Sequence, residues 1–243
     1  QNYVTVLPLA LTGTNGVPAD CNLLILAGPV LTISAGELAK IDQYLTEGGR
    51  LLALLNSATR DQTRGLETLL EKWRVVASDD IVNDERNSLN AIKVAPGEDV
   101  TVGSFAKHPA VSALYGSYLS LYKPRAIGIV EAKENATDLP KAELLFASAP
   151  SAKLTTRPSA GTRAYPLAGA GKKVGVRGVA TGRGNARMIV IGDSFFLANE
   201  PLKQVATRQF AGYAVNWLLD RPLFTAGIGP KPFTEFRMAI TEA

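Results

Sequence analysis

An α/β fold built around a parallel sheet is predicted by three features of the sequence. Asn22–Ala27 (NLLILA) is a continuous apolar run bounded by Asp20 and by Gly28-Pro29, the pattern of a strand covered on both faces. A capped amphipathic helix and a second apolar run follow it within about 34 residues, the length of a βαβ unit. Near the other end, Met188–Ile191 (MIVI) leads through Gly192-Asp193-Ser194 into a second long helical pattern, which reads as a closing βα unit.

The first strand is expected to be central and parallel, because its run is apolar throughout. Ser34 with Glu37 three residues on forms a capping box, and Leu38, Ile41 and Leu45 then recur at helical spacing until Gly48-Gly49 ends the helix. Arg50–Leu55 (RLLALL) is the second buried strand. Leu66, Leu69, Leu70 and Trp73 place an apolar side on a helix predicted over Thr63–Trp73, and a short β-like Val75-Val76 follows. From about Ser78 to Gly184 the periodicity weakens. Short strands are expected at Ala91–Val94, Ala126–Val130, Glu143–Ala147 and Val174–Ala180, as an insertion or edge elaboration over about 78–185. A helix over Pro201–Leu219, carrying Phe210, Ala214, Trp217 and Leu218, completes a single domain of residues 1–222. Beyond Asp220-Arg221-Pro222 the proline-punctuated 223–243 segment reads as a tail.

Composition narrows the function classes. With 46% hydrophobic and 20% charged residues the chain can bury an ordinary core. One Cys and one His exclude a disulfide framework and a zinc site built from Cys and His. No other metal and no cofactor is expected. The apolar run Leu23–Ala27, which no other run exceeds, falls far short of the roughly 20 residues that span a bilayer. The chain starts at Gln1 without an initiator Met or a signal-peptide pattern, and is expected to be a piece of a longer protein.

Charge is unevenly spread. Between Leu144 and Gly192 there is no Asp or Glu, while Lys153, Arg157, Arg163, Lys172, Lys173, Arg177, Arg183 and Arg187 contribute +8 against a whole-chain net of +4. Such a stretch suits phosphates, anionic lipid or an acidic partner, or is a solvated Gly-rich loop. It lacks interleaved aromatics and matches no nucleic-acid module, so no nucleic acid is expected.

Three motifs suggest chemistry and are set aside. Gly169–Lys173 (GAGKK) hints at a phosphate loop, but Pro166 stands where its first Gly belongs and Lys173 where Ser or Thr would bind magnesium. Gly192-Asp193-Ser194 resembles the nucleophile block of the GDS serine esterases, yet His108 precedes the serine and no downstream imidazole exists to activate it. His108 itself, in Lys107-His108-Pro109, is expected at the surface or at the start of a helix. Asp79, Asp80, Asp84 and Glu85 cluster without EF-hand spacing and read as a solvated loop.

Geometry offers a better candidate. Ligands of open parallel sheets settle outside the carboxyl ends of the strands. The three apolar strands end in Gly28-Pro29, Asn56-Ser57 and Asp193-Ser194, and Asn199 follows, which sets small and polar groups along one edge as a candidate ligand crevice. The local alternative is that Asn56, Asp193 and Ser194 cap helices or close turns.

Taken in order, these stretches carry a resemblance. Val17-Pro18-Ala19-Asp20 leading into NLLILAGP, the Ser34–Glu37 cap, Ile41–Leu45 through Gly48–Leu52, Gly65-Leu66-Glu67 before Trp73, Asp79–Val82, His108-Pro109, Val190–Ser194 with Phe196 and Asn199, and Ala214–Leu218 span nearly the whole chain. Together they resemble the extracytoplasmic domain of the gliding-motility-associated ABC transporter auxiliary family. The resemblance implies a flavodoxin-like three-layer sandwich, similar to the class I glutamine amidotransferases. It also implies a periplasmic site on the inner membrane, and makes 223–243 a juxtamembrane linker to a membrane helix outside this sequence. The implied partners are a transporter permease or accessory subunits; the charge of 153–187 adds an anionic envelope ligand as a further expectation. Catalysis is not implied. Amidotransferases place a Cys on a strand-to-helix elbow, whereas Cys21 precedes its strand. The expected role is therefore a non-enzymatic accessory domain acting by protein or ligand recognition. A small-molecule or glycan site in the crevice is the alternative, and a hydrolase through Ser194 a further one.

Overall fold

Ten strands and three α-helices follow one another in a computed structural model that describes residues 5–57, 65–89, 94–131, 139–174 and 184–221. They are β1 (Leu24–Ala27), α1 (Ala35–Thr46), β2 (Arg50–Leu54), α2 (Leu66–Lys72), β3 (Val75–Asn83), β4 (Asp99–Val102), β5 (Leu119–Tyr122), β6 (Arg125–Ile129), β7 (Lys141–Ala147), β8 (Lys153–Leu154), β9 (Pro166–Lys173), β10 (Ala186–Ile191) and α3 (Val205–Leu218). The main sheet has the order β1-β2-β10-β9-β7. Smaller antiparallel groups join β6-β3-β8 and β4-β5.

The βαβ unit forms as its sequence dictates. Ser34 caps α1, accepting from the Glu37 amide while the Glu37 carboxylate accepts from the Ser34 amide at 2.9 Å. β1 and β2 pair in parallel, Leu24 with Leu51 through Ala27 with Leu54, and β10 joins the other side of β2 in parallel. Successive residues of β2 feed opposite cores. Leu51 and Ala53 pack with Ile41, Leu45, Leu70 and Trp73 of the α1–α2 side, while Leu52 and Leu54 pack with Phe210, Ala214 and Leu218 of α3. Coverage on both faces is why β2 and β10 read as unbroken apolar runs, each fully buried Leu or Ile contributing roughly 1.5–3 kcal/mol.

The flavodoxin-like, class I glutamine amidotransferase-like three-layer sandwich is not what forms. That arrangement needs a helix crossover between successive parallel strands, yet only β1, β2 and β10 are parallel. β9 runs antiparallel to β10, and β7 antiparallel to β9, so the sheet is mixed. Over this half β6 packs on β9: a Cβ at Gly169 would lie 2.5 Å from Ile129 Cδ1 of β6, and one at Gly171 3.2 Å from the ring of Trp73, which ends α2. The segment that hints at a phosphate loop is thus a strand whose glycines admit β6 and the end of α2 at close range.

Several local expectations change with it. β1 is parallel but lies at the sheet edge, with Ile25 42% exposed, because a short apolar run does not distinguish a central strand from an edge one. β3 extends to nine residues where two were expected. α2 starts at Leu66, and Thr63–Arg64, Ala91–Lys93, Gly175–Ala180 and the 223–243 tail lie outside the described residues. α3 begins at Val205, Pro201–Lys203 forming a 3-10 turn before it. No helix among the described residues is long and apolar enough to cross a membrane.

Candidate functional site

The carboxyl ends of β1, β2 and β10 meet as expected, and two adjoining cavities open there. The first, of about 420 Å³, is lined by Asn56, Ser57, Asp193 and Ser194 together with Ala27, Leu54, Tyr122, Phe195, Leu197 and Ala198. The second, of about 600 Å³, shares Asn56, Ser57 and Tyr122 and adds Ile81, Val82, Asn83, Glu98, Lys123 and Thr155. Gly28 stands at φ +63° with its amide donating to the Leu54 carbonyl at 3.0 Å. A Cβ there would fall 2.6 Å from Ser194 Oγ, so this glycine lets β1 and the Ser194 turn close on each other. Gly28, Pro29 and Asn199 lie beside this group but do not line either cavity.

Asp193 holds the floor. It is 3% exposed; its Oδ2 accepts the Tyr122 amide at 2.8 Å and its Oδ1 the Phe195 amide at 2.7 Å. The second bond closes an Asx turn, as the local reading of this residue expects. The first ties β5 to the end of β10 across 71 positions of sequence. Burial pushes the Asp193 carboxyl up to about 7, against the pull of the surrounding amides. The Tyr122 ring then meets Phe195 edge-on at 5.5 Å, and Lys123 lies 5.4 Å above the Tyr122 ring while pairing with Glu98 at 2.7 Å.

Ser194 has no imidazole beside it. His108, 5% exposed, meets the Trp217 ring edge-on at 4.7 Å, and its Nδ1 accepts the Ala110 amide at 3.1 Å. It lies in the turn that leads to a short 3-10 segment, Ser112–Leu114, its carbonyl accepting the Val111 and Ser112 amides, and it is buried, not at the surface. Burial, and then the charge of Arg187, hold its pKa down at about 4. Gly192 has a steric role: a Cβ there would sit 2.1 Å from the Arg125 carbonyl oxygen, whose own amide donates to the Gly192 carbonyl at 2.8 Å.

The acidic cluster is structural and partly buried, not a solvated loop. Asp80 accepts from Ser78 Oγ at 2.7 Å, from Thr156 Oγ1 and from the Arg157 guanidinium, which holds its carboxyl down at about 2. Asp84, 1% exposed, accepts Ser151 Oγ at 2.9 Å. Asp79 pairs with the buried Arg125 at 3.1 Å. Among the described residues no group of three His, Cys, Asp or Glu is arranged to hold a metal.

The basic stretch 153–187 divides between the two ends of the molecule. Lys153 pairs with Glu85, Arg157 with Asp80, and Arg163 lies over Tyr165. Lys172, Lys173 and Arg187 stand at the opposite end of the main sheet, where β9 and β10 are joined. Arg177 and Arg183 lie outside the described residues.

Tyr122, Lys123, Glu98 and Thr155 are the site residues that sequence reasoning missed. They come from the weakly periodic middle of the chain and reach the crevice through long-range pairing, which no local spacing reveals.

Comparison with known proteins gives a consistent picture. The chain is similar over 86% of its length to a solved structure described as the mmIFT52 N-terminal domain, with 15% identity, 79% of that chain covered and a TM-score of 0.60. That likeness is one of fold alone. A ThuA-like protein from Bacteroides uniformis aligns over 81% of this chain and 69% of its own, at 12% identity and a TM-score of 0.43. No curated protein matches the sequence. The family described as "ABC-type uncharacterized transport system" matches residues 1–160, two thirds of the chain. The chain therefore belongs to this family of auxiliary components of ABC-type transport systems.

Proposed function

We propose that the chain is a non-enzymatic recognition domain of its transport system, gliding-motility-like in type. It faces the periplasm from the inner membrane, with the 223–243 tail as the link toward a membrane anchor. Its binding surface is the crevice at Asn56, Ser57, Asp193 and Ser194, shaped by Gly28 and flanked by Pro29 and Asn199. Its occupant is a permease or accessory subunit of the same system. The observation that carries this reading is the fixing of the crevice floor by the buried Asp193, whose carboxylate is committed to the Tyr122 and Phe195 amides. Both oxygens of this group are held by backbone amides, which fixes it as part of the crevice wall. Ser194 stands in the same crevice without a proton acceptor among the lining side chains except this committed one.

Affinity purification from detergent-solubilised membranes tests it. The wild-type chain is expected to recover a permease or accessory subunit. Ser57→Arg, which fills the space between the two cavities, is expected to lose at least about 2 kcal/mol of that binding, the scale of an interface hot spot. Equal recovery by both proteins removes the crevice from the interface.

A small-molecule or glycan ligand is favoured by one separate observation. The second cavity sets Asn83, Glu98, Lys123 and Thr155 around one volume, a polar lining able to hydrogen-bond hydroxyl groups. Thermal-shift screening with sugars and nucleotides distinguishes it, since flat melting temperatures throughout contradict it.

A further inference from the structure

On the face of the main sheet that α3 covers, strand register lines up four cations on four adjacent strands. Lys141 of β7 is opposite Lys172 of β9, Lys172 is opposite Arg187 of β10, and Arg187 is opposite Arg50 of β2. Directly opposed residues share a face and lie close enough for like charges to destabilise the pair. With strands ~4.8 Å apart, the row is roughly 14 Å long. It occupies the amino-terminal ends of β2 and β10, at the far end of the sheet from the crevice.

The centre of the row is immobile. The Arg187 side chain is 8% exposed, lies over the Trp217 ring at 5.1 Å, donates to the Trp217 carbonyl and pairs with Asp220 at 2.6 Å. Its Nε is buried without an acceptor among the described residues. The open end is different. Lys141 is exposed and Lys172 half-buried, and neither makes an ion pair or side-chain hydrogen bond with the described residues. Among the described residues of β7, Glu143, two positions along on the same face, is the carboxylate nearest in register to them. Two ammonium groups thus oppose each other beside a fixed guanidinium, an arrangement that repels itself when empty and is reversed in sign by an anion.

We propose that Lys141 and Lys172, at the open end of the row that Arg187 and Arg50 continue, form a binding site for phosphate groups. Ammonium groups bind phosphate oxygens as point charges without demanding a fixed planar geometry, and two that oppose each other on adjacent strands can share one phosphate. The site is independent of the crevice and uses only part of the basic stretch, since Lys153 and Arg157 are committed to Glu85 and Asp80 at the other end.

Low-salt cosedimentation with vesicles of phosphatidylcholine, with and without phosphatidylglycerol, and calorimetric titration with inorganic pyrophosphate test the site on the full chain. Lys141→Gln/Lys172→Gln is compared with the charge-matched control Lys153→Gln/Lys203→Gln, whose lysines pair with Glu85 and Glu200. The expected result is that the first variant binds at least about tenfold more weakly than wild type, the scale for two basic side chains on an anionic surface, while the control binds nearly as well as wild type. Binding of phosphatidylglycerol vesicles alone assigns the phosphates to lipid headgroups; binding of pyrophosphate assigns them to soluble phosphates. Either supports the site. The first variant is expected to melt no lower than wild type, so weaker binding is not a folding defect. Binding of neither probe, or equal weakening in both variants, overturns the proposal.

Discussion

Alanine at Gly192 is expected to be among the most damaging single substitutions in the chain, lowering unfolding free energy by about 3 kcal/mol. The added methyl would sit 2.1 Å from the Arg125 carbonyl oxygen and 3.1 Å from its carbon. Those are backbone atoms held in place by the Arg125 amide bond to the Gly192 carbonyl, so no rotamer change relieves the contact. Arg125 is also fixed through its side chain, Nε donating to the Ser78 carbonyl at 2.8 Å and Nη2 pairing with Asp79 and Glu67. The strain would therefore pass into β6 and the end of β10 together. Gly212→Ala gives the opposite sign. Gly212 lies on the exposed side of α3, and a methyl group there would meet nothing within 4 Å, so alanine is expected to stabilise by about 0.5–1 kcal/mol. Urea unfolding of the two variants beside the wild type checks both; equal shifts would remove the steric explanation.

Between pH 7 and pH 4, Asp193 and His108 are expected to push stability in opposite directions. The Asp193 carboxyl is raised from an ordinary 3.8 to about 7 by burial, so folding favours its protonated form. Its contribution is complete below the unfolded value and is lost as pH rises through about 7, a change of about 4 kcal/mol. His108 is lowered from 6.5 to about 4, first by burial and then by the charge of Arg187. Folding favours its neutral form, and about 3 kcal/mol present above pH 6.5 is lost as pH falls through 4. Asp80, held at about 2, loses its contribution only below the ordinary aspartate range and stays outside this window. Wild-type stability is therefore expected to be nearly flat from pH 4 to 7. His108→Asn, which keeps an acceptor for the Ala110 amide, is expected to be more stable at pH 4 than at pH 7. Asp193→Asn is expected to show the reverse slope. Urea unfolding at pH 4, 5, 6, 7 and 8 measures all three, and parallel profiles would contradict both assignments.

The part of the fold that is legible in the sequence is the part whose cause is local. α1 follows from Ser34, Glu37 and the spacing of Leu38, Ile41 and Leu45, and β2 and β10 from apolar runs that two cores require. The antiparallel half of the sheet is not legible, because its signal is absence. Gly169 and Gly171 are small so that Ile129 and Trp73 can approach, and a glycine-rich strand carries no alternation. β1 reads as central for the converse reason: Leu24 and Leu26 are apolar for a core on one side only, and the run length is the same.

The crevice is half legible. Strand ends place Asn56, Ser57, Asp193 and Ser194 in one cavity, because parallel strands in register bring their carboxyl ends together. Tyr122 and Lys123 enter through one bond, from the Tyr122 amide to Asp193, between residues 71 positions apart. For His108 and Asp80 the neighbours in sequence mislead. Their settings are made by Trp217 and by Arg157, which lie far along the chain.

Site-specific photo-cross-linking from position 57, in cells that make the whole transport system, tests the recognition role most directly, with the exposed Glu71 of α2 as the control position. The expected result is an adduct with a permease or accessory subunit from position 57 and none from position 71. No adduct from position 57, or the same adduct from both positions, would contradict it.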